Sequence, residues 1–373
     1  MSLRALVLCS DDKILRVLRR VLSDLEIDAE LCANSDAAAR RLTRQRFEAV
    51  VVDCEDEDTA ATVLKTVRRA PCNVHAVAVA ILDAGKAVKS GFAMGAHFVL
   101  YKPLTAERAK SSFRAVRALM KCERRRNARV PIELPVALEF AGSEGQQKAT
   151  SIDLSEGGMA TRFARRSRKK DQLRVSFALP GDPAQIECKA EMAWEDDGAR
   201  AGIRFVDMQP EDRNRLRAWL AAHSPEIESD DPPVGCKLTD LSPGACYVEI
   251  GTPFPMRTRV TLAMPNGDRR LEVEGLVRVT HPEAGMGIEF ARATDRQKEN
   301  LERLIQALIS SKEAPGLEVR PEGLEDAAAN SSDYRMGTDP LLDLFHSRHQ
   351  LTTEAFVGEL RKQRAGQSMA AEA

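Results

Sequence analysis

Long hydrophobic runs, paired cysteines and an excess of charge of either sign are all missing from this 373-residue chain. No stretch comes near the roughly 20 apolar residues that span a bilayer. The apolar start, LRALVLC over 3–9, is interrupted by Arg4 and followed at once by Asp11 and Asp12, unlike a secretory leader. A cytoplasmic protein without a membrane span is therefore expected. The 55 basic and 56 acidic residues leave a net charge of −1, so the chain as a whole offers no case for binding nucleic acid or an anionic membrane. Any anion recognition must be local. Eight cysteines are scattered without a Cys-x-x-Cys pair, which suggests neither a zinc site nor a disulfide framework. Walker loops and Gly-x-Ser-x-Gly elbows are absent as well.

What is present falls into distinct stretches, as expected of a chain longer than one core usually serves. Over 3–120, short apolar runs (LRALVLC, AVVVD at 49–53, VHAVAVAIL at 74–82, FVLY at 98–101) alternate with helical spacing in Ile14–Leu25, Ala37–Gln45, Thr59–Arg69 and Ala106–Met120. Strands alternating with helices imply βα units and a doubly wound α/β domain with a parallel sheet, assigned to residues 1–122.

From about residue 130 the pattern becomes β-rich: VALEF (136–140), KATSIDL (148–154), GMATRF (158–163), LRVSFAL (173–179), IECKAEMAWE (186–195) and ARAGIRF (199–205), then a helix over Pro210–Ala222. That order predicts a small antiparallel β-barrel with a C-terminal helix, residues 123–224. The order then returns. Asp153-Leu154-Ser155 reappears as Asp240-Leu241-Ser242, Gly202-Ile203-Arg204-Phe205 as Gly287-Ile288-Glu289-Phe290, and Arg213–Leu220 as Lys298–Ile305, which predicts a duplicated barrel over 232–312. An acidic, Pro-containing hinge, SPEIESDDPPVG (224–235), joins the copies, and residues 313–373 read as a linker plus a C-terminal docking helix carrying Leu341, Leu344, Phe345 and Leu360. His346 and His349 share that helix at i,i+3 spacing without partnering acids or cysteines, and are read as part of its solvated face.

Two motifs bear on chemistry. Residues 123–129 read Glu-Arg-Arg-Arg-Asn-Ala-Arg, and a strand end carries Asp153-Leu-Ser155-Glu-Gly157-Gly158. Alone, the first is a solvated charge run and the second a hairpin turn. Together, in this order, they resemble the PilZ family, whose signature is Arg-x-x-x-Arg followed by Asp/Asn-x-Ser-x-x-Gly. Arg125 and Arg129 match the first element; Asp153, Ser155 and Gly158 match the second. The resemblance implies a receptor for cyclic di-GMP. Its arginines, on a loop folded over the barrel, would clamp phosphates and guanine faces, Asp153 and Ser155 would meet guanine edges, and Gly158 would let the ligand approach the backbone. Trp194 stands where such domains carry a tryptophan beside the ligand, and the extra Arg124 resembles members that take an intercalated ligand dimer. A second basic run, Arg162–Lys170, reads as a solvated face.

The second copy keeps Asp240 and Ser242 but has Ala245 for the signature glycine, and an acidic stretch (Glu226, Glu228, Asp230, Asp231) where the arginines should be. It is expected to serve packing or protein interaction, including self-association. No Gly-Gly-Asp/Glu-Glu-Phe or Glu-Ala/Val-Leu signature is found, so the chain is expected neither to make nor to degrade the messenger and to be no enzyme.

The N-terminal domain resembles the receiver family of response regulators: Asp11 and Asp12 follow the first strand, Asp53 ends the third, and Tyr101-Lys102-Pro103 follows the fifth. The resemblance implies a phosphoacceptor in Asp53, Mg²⁺ on Asp11, Asp12 and Asp53, Lys102 on the phosphoryl oxygens, and a histidine kinase as partner. The family's Ser or Thr at the end of the fourth strand is missing from Val79-Ala80-Ile81-Leu82. Phosphorylation and a docking platform with leftover acids therefore both stand. The chain is thus expected to turn messenger binding into a changed domain arrangement or partner interaction. Its alternative is a phosphorylation-controlled regulator whose barrels dock proteins without nucleotide.

Overall fold

The computed structural model describes residues 2–70, 72–85, 88–141, 145–163, 172–196, 199–224, 230–266, 269–291, 316–325, 339–347 and 354–362. Five parallel strands, β1 (Leu3–Leu8), β2 (Ile27–Cys32), β3 (Ala49–Asp53), β4 (Val77–Leu82) and β5 (Phe98–Tyr101), form a sheet in the order β2-β1-β3-β4-β5. Helices α1 (Asp12–Asp24), α2 (Ser35–Arg44), α3 (Glu57–Arg69), α4 (Val88–Ala93) and α5 (Ala106–Asn127) alternate with the strands. Strand alternation sends Val7, Val51 and Val79 to one face, with α1 and α5, and Leu8, Val52 and Ala80 to the other, with α2 and α3. Both faces are covered, which is why the inner strands read as unbroken apolar runs. Asp11, Asn34 and Asp56 cap α1, α2 and α3 through their side chains.

The first barrel is built from β6 (Val130–Pro131), β7 (Pro135–Phe140), β8 (Gln147–Ser155), β9 (Gly158–Phe163), β10 (Gln172–Ala178), β11 (Gln185–Glu195) and β12 (Arg200–Met208). The sheet runs β6-β8-β7-β10-β11-β12-β9, and pairing of β8 with β9 closes six of these strands into a ring. Helix α6 (Pro210–His223), with proline at its first turn, buries Leu216 and Leu220 in the barrel core.

The second barrel closes as β13 (Val234–Leu241), β14 (Ala245–Glu249), β17 (Gly285–Phe290), β16 (Arg269–His281), β15 (Thr258–Asn266) and β18 (Gly316–Leu324). Strand β18 corrects the linker reading of 313–373: Val319 pairs with Val234 on one side and Leu262 on the other, completing the ring. The duplicated helix expected at Lys298–Ile305 lies outside the described residues, as do His349 and most of Arg162–Lys170. Among its described residues the tail forms two helices, α7 (Pro340–Ser347) and α8 (354–362).

The chain divides into two compact units: Glu123–Asp230 is one, and Ser2–Cys122 together with the chain from Asp231 onward is the other. The α/β domain thus shares a unit with the second barrel rather than with its neighbour in sequence. Ser111 Oγ and Thr252 Oγ1 are 2.8 Å apart, Cys122 Sγ donates to the Pro321 carbonyl at 3.2 Å, and Arg108 pairs with Glu283. Among the described residues no helix is long and apolar enough to cross a membrane.

Candidate functional site

Strand register brings the second motif together with the tryptophan. Asp153 of β8 lies opposite Ala160 of β9, Ala160 opposite Gly202 of β12, and Gly202 opposite Trp194 of β11. Residues directly opposite share a sheet face, so these four form one row across the barrel wall. A Cβ on Gly202 would stand 2.1 Å from Trp194 Nε1, so the indole lies against the glycine, and it stays 46% exposed. An indole held by packing yet open to solvent is a stacking surface. At the other end of the row, Asp153 Oδ1 accepts the Ala160 amide at 3.0 Å and Arg129 Nη1 at 2.6 Å. Arg129 is itself exposed.

The other motif residues serve the scaffold. Ser155 is buried and donates from Oγ to the Gly158 carbonyl at 2.9 Å, locking the β8–β9 turn. Gly158 is required by chain closure: a Cβ there would sit 2.2 Å from the Ile203 carbonyl oxygen of β12.

The arginine loop is corrected. Arg124 and Arg125 belong to the last turn of α5, which runs on to Asn127 because no glycine or proline interrupts it; the Ala128 amide still donates to the Arg124 carbonyl at 2.7 Å. Arg125 is buried, donating from Nε to Glu156 Oε2 at 2.8 Å and pairing with Asp230 through Nη1. Arg217 of α6 reaches the same Glu156 carboxylate, Nε to Oε1 at 2.8 Å. Burial pushes the Glu156 carboxyl up, but the Arg217 and Arg125 guanidiniums outweigh it and hold it below the usual carboxylate range. The sequence motif assigned Glu156 no role. The one hint in the sequence was an acid in a turn whose neighbours are all small or apolar.

In the α/β domain Asp53 ends β3 and Lys102 Nζ stands 2.8 Å from its Oδ1, with Asp83 at 3.4 Å from the same ammonium. Burial depresses the Lys102 pKa, but the Asp53 and Asp83 carboxylates more than compensate and hold it above its usual value. Cys9 Sγ donates to Asp53 Oδ2 at 3.3 Å, its own thiol pushed up to about 12 chiefly by burial. The acids are not gathered as a ligand set. Asp11 turns its carboxylate onto the Lys13 and Ile14 amides, which lower its pKa, and Asp12 is exposed in the first turn of α1. Among the described residues no group of three or more His, Cys, Asp or Glu could hold a metal ion, so the expected Mg²⁺ site on Asp11, Asp12 and Asp53 does not fit, and no step is drawn through it.

In the second barrel the row recurs as Asp240, Tyr247, Gly287 and Val279. The described part of the acidic stretch is bonded rather than free: Asp231 accepts Lys121 Nζ at 2.8 Å and pairs with Arg117, while Asp230 pairs with Arg125.

Comparison with known proteins adds the following. Residues 123–222 and 223–307 each match the PilZ domain family. No curated protein matches the chain. Among solved structures, the receiver domain of a sensor histidine kinase from Pseudomonas aeruginosa, determined with magnesium in its active-site cleft, is 18% identical over 32% of this chain and 98% of its own, with a TM-score of 0.29. A chemotaxis response regulator of Vibrio cholerae is 19% identical over 31% and 99%, with a TM-score of 0.29. A PilZ domain from a cellulose-synthesising bacterium is 17% identical over 26% and 100%, with a TM-score of 0.22.

Proposed function

Because this chain carries two PilZ domains in tandem behind a receiver-like domain, we propose that its first barrel is a receptor for cyclic di-GMP. The observation that carries this reading is the row on the barrel wall, with the Arg129–Asp153 pair at one end and the half-exposed Trp194 at the other. The ligand is a dianion with two flat guanines. An exposed guanidinium supplies a planar fork for phosphate oxygens or the O6/N7 edge, a carboxylate accepts from the guanine N–H edge, and an indole stacks on a ring face. Arg129, Asp153 and Trp194 fill those roles, with Arg124 at the end of α5 as a further donor. Arg125 joins the clamp by exchanging the Asp230 carboxylate at Nη1 for phosphate, while Glu156 keeps its Nε. Ligand entry is therefore coupled to release of Asp230 from Arg125.

Titration calorimetry on the full chain tests this. The wild type is expected to bind cyclic di-GMP and to turn over neither it nor GTP, and Trp194→Ala to lose roughly tenfold in affinity, as stacking on an aromatic face is worth about 1–3 kcal/mol. Absence of binding by the wild type would sink the reading. A second reading, control through Asp53 by a histidine kinase, draws on the 2.8 Å Lys102–Asp53 contact. The two readings separate on one variant, since Asp53→Asn is expected to leave the cyclic di-GMP affinity unchanged.

A further inference from the structure

The same row of the second barrel is covered, and by the chain's own tail. Tyr247, Val279, Leu341, Leu342, Leu344, Phe345, Phe356 and Leu360 form one buried cluster there. In each barrel the glycine of the row supports an aromatic ring. A Cβ on Gly202 would collide with Trp194 from the adjacent strand, whereas a Cβ on Gly287 would stand 2.5 Å from Phe345 Cζ of α7. Val279 occupies the register position of Trp194, and the smaller side chain leaves the seat that Phe345 takes.

A second correspondence is independent of the first. The turn after β8 presents the Gly157 amide to the Arg126 carbonyl of α5 at 3.3 Å. The equivalent turn after β13 presents the Gly244 amide to Asp339 Oδ2 at 2.9 Å, while Asp339 Oδ1 caps α7 by accepting from Leu341 and Leu342. The start of α7 thus meets on the second barrel the turn that the arginine-bearing end of α5 meets on the first. Phe356 of α8 completes the cover, its ring 4.3 Å from that of His281 and 5.7 Å from that of Tyr247.

We propose that the second barrel is a receptor for an amphipathic helix, with α7 and α8 as its resident ligand on the row Asp240–Tyr247–Gly287–Val279. Recognition is by apolar anchors, Phe345 on Gly287 and Phe356 on Tyr247 and His281, oriented by the Asp339 carboxylate on the Gly244 amide. The barrel wall is the same device in both copies; in the second it reads a peptide.

A labelled synthetic peptide spanning residues 338–363, titrated by fluorescence anisotropy into full-length protein, tests the proposal without nucleotide, so its failure is distinct from failure of the nucleotide reading. In the wild type the resident tail competes at high effective concentration and binding is weak. Phe345→Ala/Phe356→Ala in the full chain loosens the tail while leaving the row intact, and is expected to bind the peptide about tenfold or more tightly than wild type. Adding Gly287→Ala, which puts a methyl group where the ring sits, is expected to reverse that gain. An opened variant that melts cooperatively yet binds no better than wild type overturns the proposal. Should the opened variant not fold, hydrogen exchange on the wild type decides. A ligand leaves before its receptor unfolds, so the amides of α7 and α8 should exchange about tenfold or more faster than those of β14 and β17. Equal rates would make the helices part of the barrel and overturn the proposal.

Discussion

On the first barrel the row glycine carries an indole from the neighbouring strand; on the second it carries a phenyl ring that arrives from the tail of the chain. The walls are otherwise built alike, with Asp153 and Asp240 in register with Ala160 and Tyr247, and a buried serine closing each turn, Ser155 Oγ on Gly158 and Ser242 Oγ on Ala245. Fold therefore does not decide what the wall holds. The two walls differ at a few positions: Trp194 against Val279, Ala160 against Tyr247, and arginines against acids in the segment leading into the motif.

The largest expected effect breaks this comparison at its charged end. In Arg125→Ala/Arg129→Ala the first barrel loses two charge-assisted contacts of about 1.5–3 kcal/mol each, so affinity for cyclic di-GMP should fall by roughly a hundredfold or more. Asp153→Ala should weaken binding in the same direction, and Asp240→Ala, its counterpart, should leave it unchanged. Calorimetry on the three variants separates the barrels, and equal losses from Asp153→Ala and Asp240→Ala would mean that the second wall also binds nucleotide.

Next in size is the aromatic seat. Phe345 is almost fully buried, and truncating such a side chain costs about 3–5 kcal/mol where the site cannot collapse. Phe345→Ala should therefore melt the tail helices locally, read as faster exchange in α7 and α8, while the strands of the first barrel keep their protection. Uniform loss of protection through both barrels would show that the two walls are not independent.

Much of this was legible in the sequence. AVVVD and VAVAIL have no reading other than strands covered on both faces, and the repeated Asp-Leu-Ser and Gly-Ile-x-Phe fixed the two barrels in order. Strand β18 was hidden because its partners, β13 and β15, lie far upstream, and because Pro321 and two glycines resemble linker composition. The arginine run was expected on a loop, and the structure departs from that for a local reason: ERRRN is as compatible with a helix as with a loop, and α5 simply continues. Glu156 and Arg217 meet across 61 residues, a pairing that no local pattern announces. The apolar tail was visible as Leu341, Leu344, Phe345 and Leu360, but its destination was not; Val279 in the place of Trp194 is the signal that could have found it.

Acid should divide the barrels in a fixed order. Burial depresses the His281 pKa to about 4, and Tyr247 Oη lies 3.0 Å from its Nδ1. An unfolded histidine takes its proton near pH 6.5. The unfolded state therefore binds more protons between those values, and stability from the neutral ring is full above about pH 6.5 and lost as pH falls toward 4. Glu156, with its pKa lowered, contributes stability that is present above the unfolded value of about 4.3 and is lost only as pH falls below it. Hydrogen exchange at pH 5 should show α8, whose Phe356 packs on His281, opening while the Arg125–Glu156–Arg217 network of the first barrel holds. The reverse order would refute the assignment of these groups.

The smallest effect sharpens the comparison where the hinge meets the clamp. Asp230 neutralises Arg125 in the protein at rest, and a phosphate reaching the same guanidinium must displace it. Asp230 is only partly buried, so the pair is worth about 0.5–1 kcal/mol, after screening. Asp230→Asn removes the competing charge but keeps the size of the side chain, and Glu156 still holds the other edge of the guanidinium through Nε. Affinity for cyclic di-GMP should therefore rise about two- to fivefold, the equivalent of that energy, with the gain shrinking as salt is added. An unchanged affinity would mean that Arg125 stays with Glu156 and leaves Arg129 to meet the ligand alone. A lowered affinity would mean that Asp230 positions Arg125 for the ligand instead of withholding it, and the hinge would then belong to the site as a support.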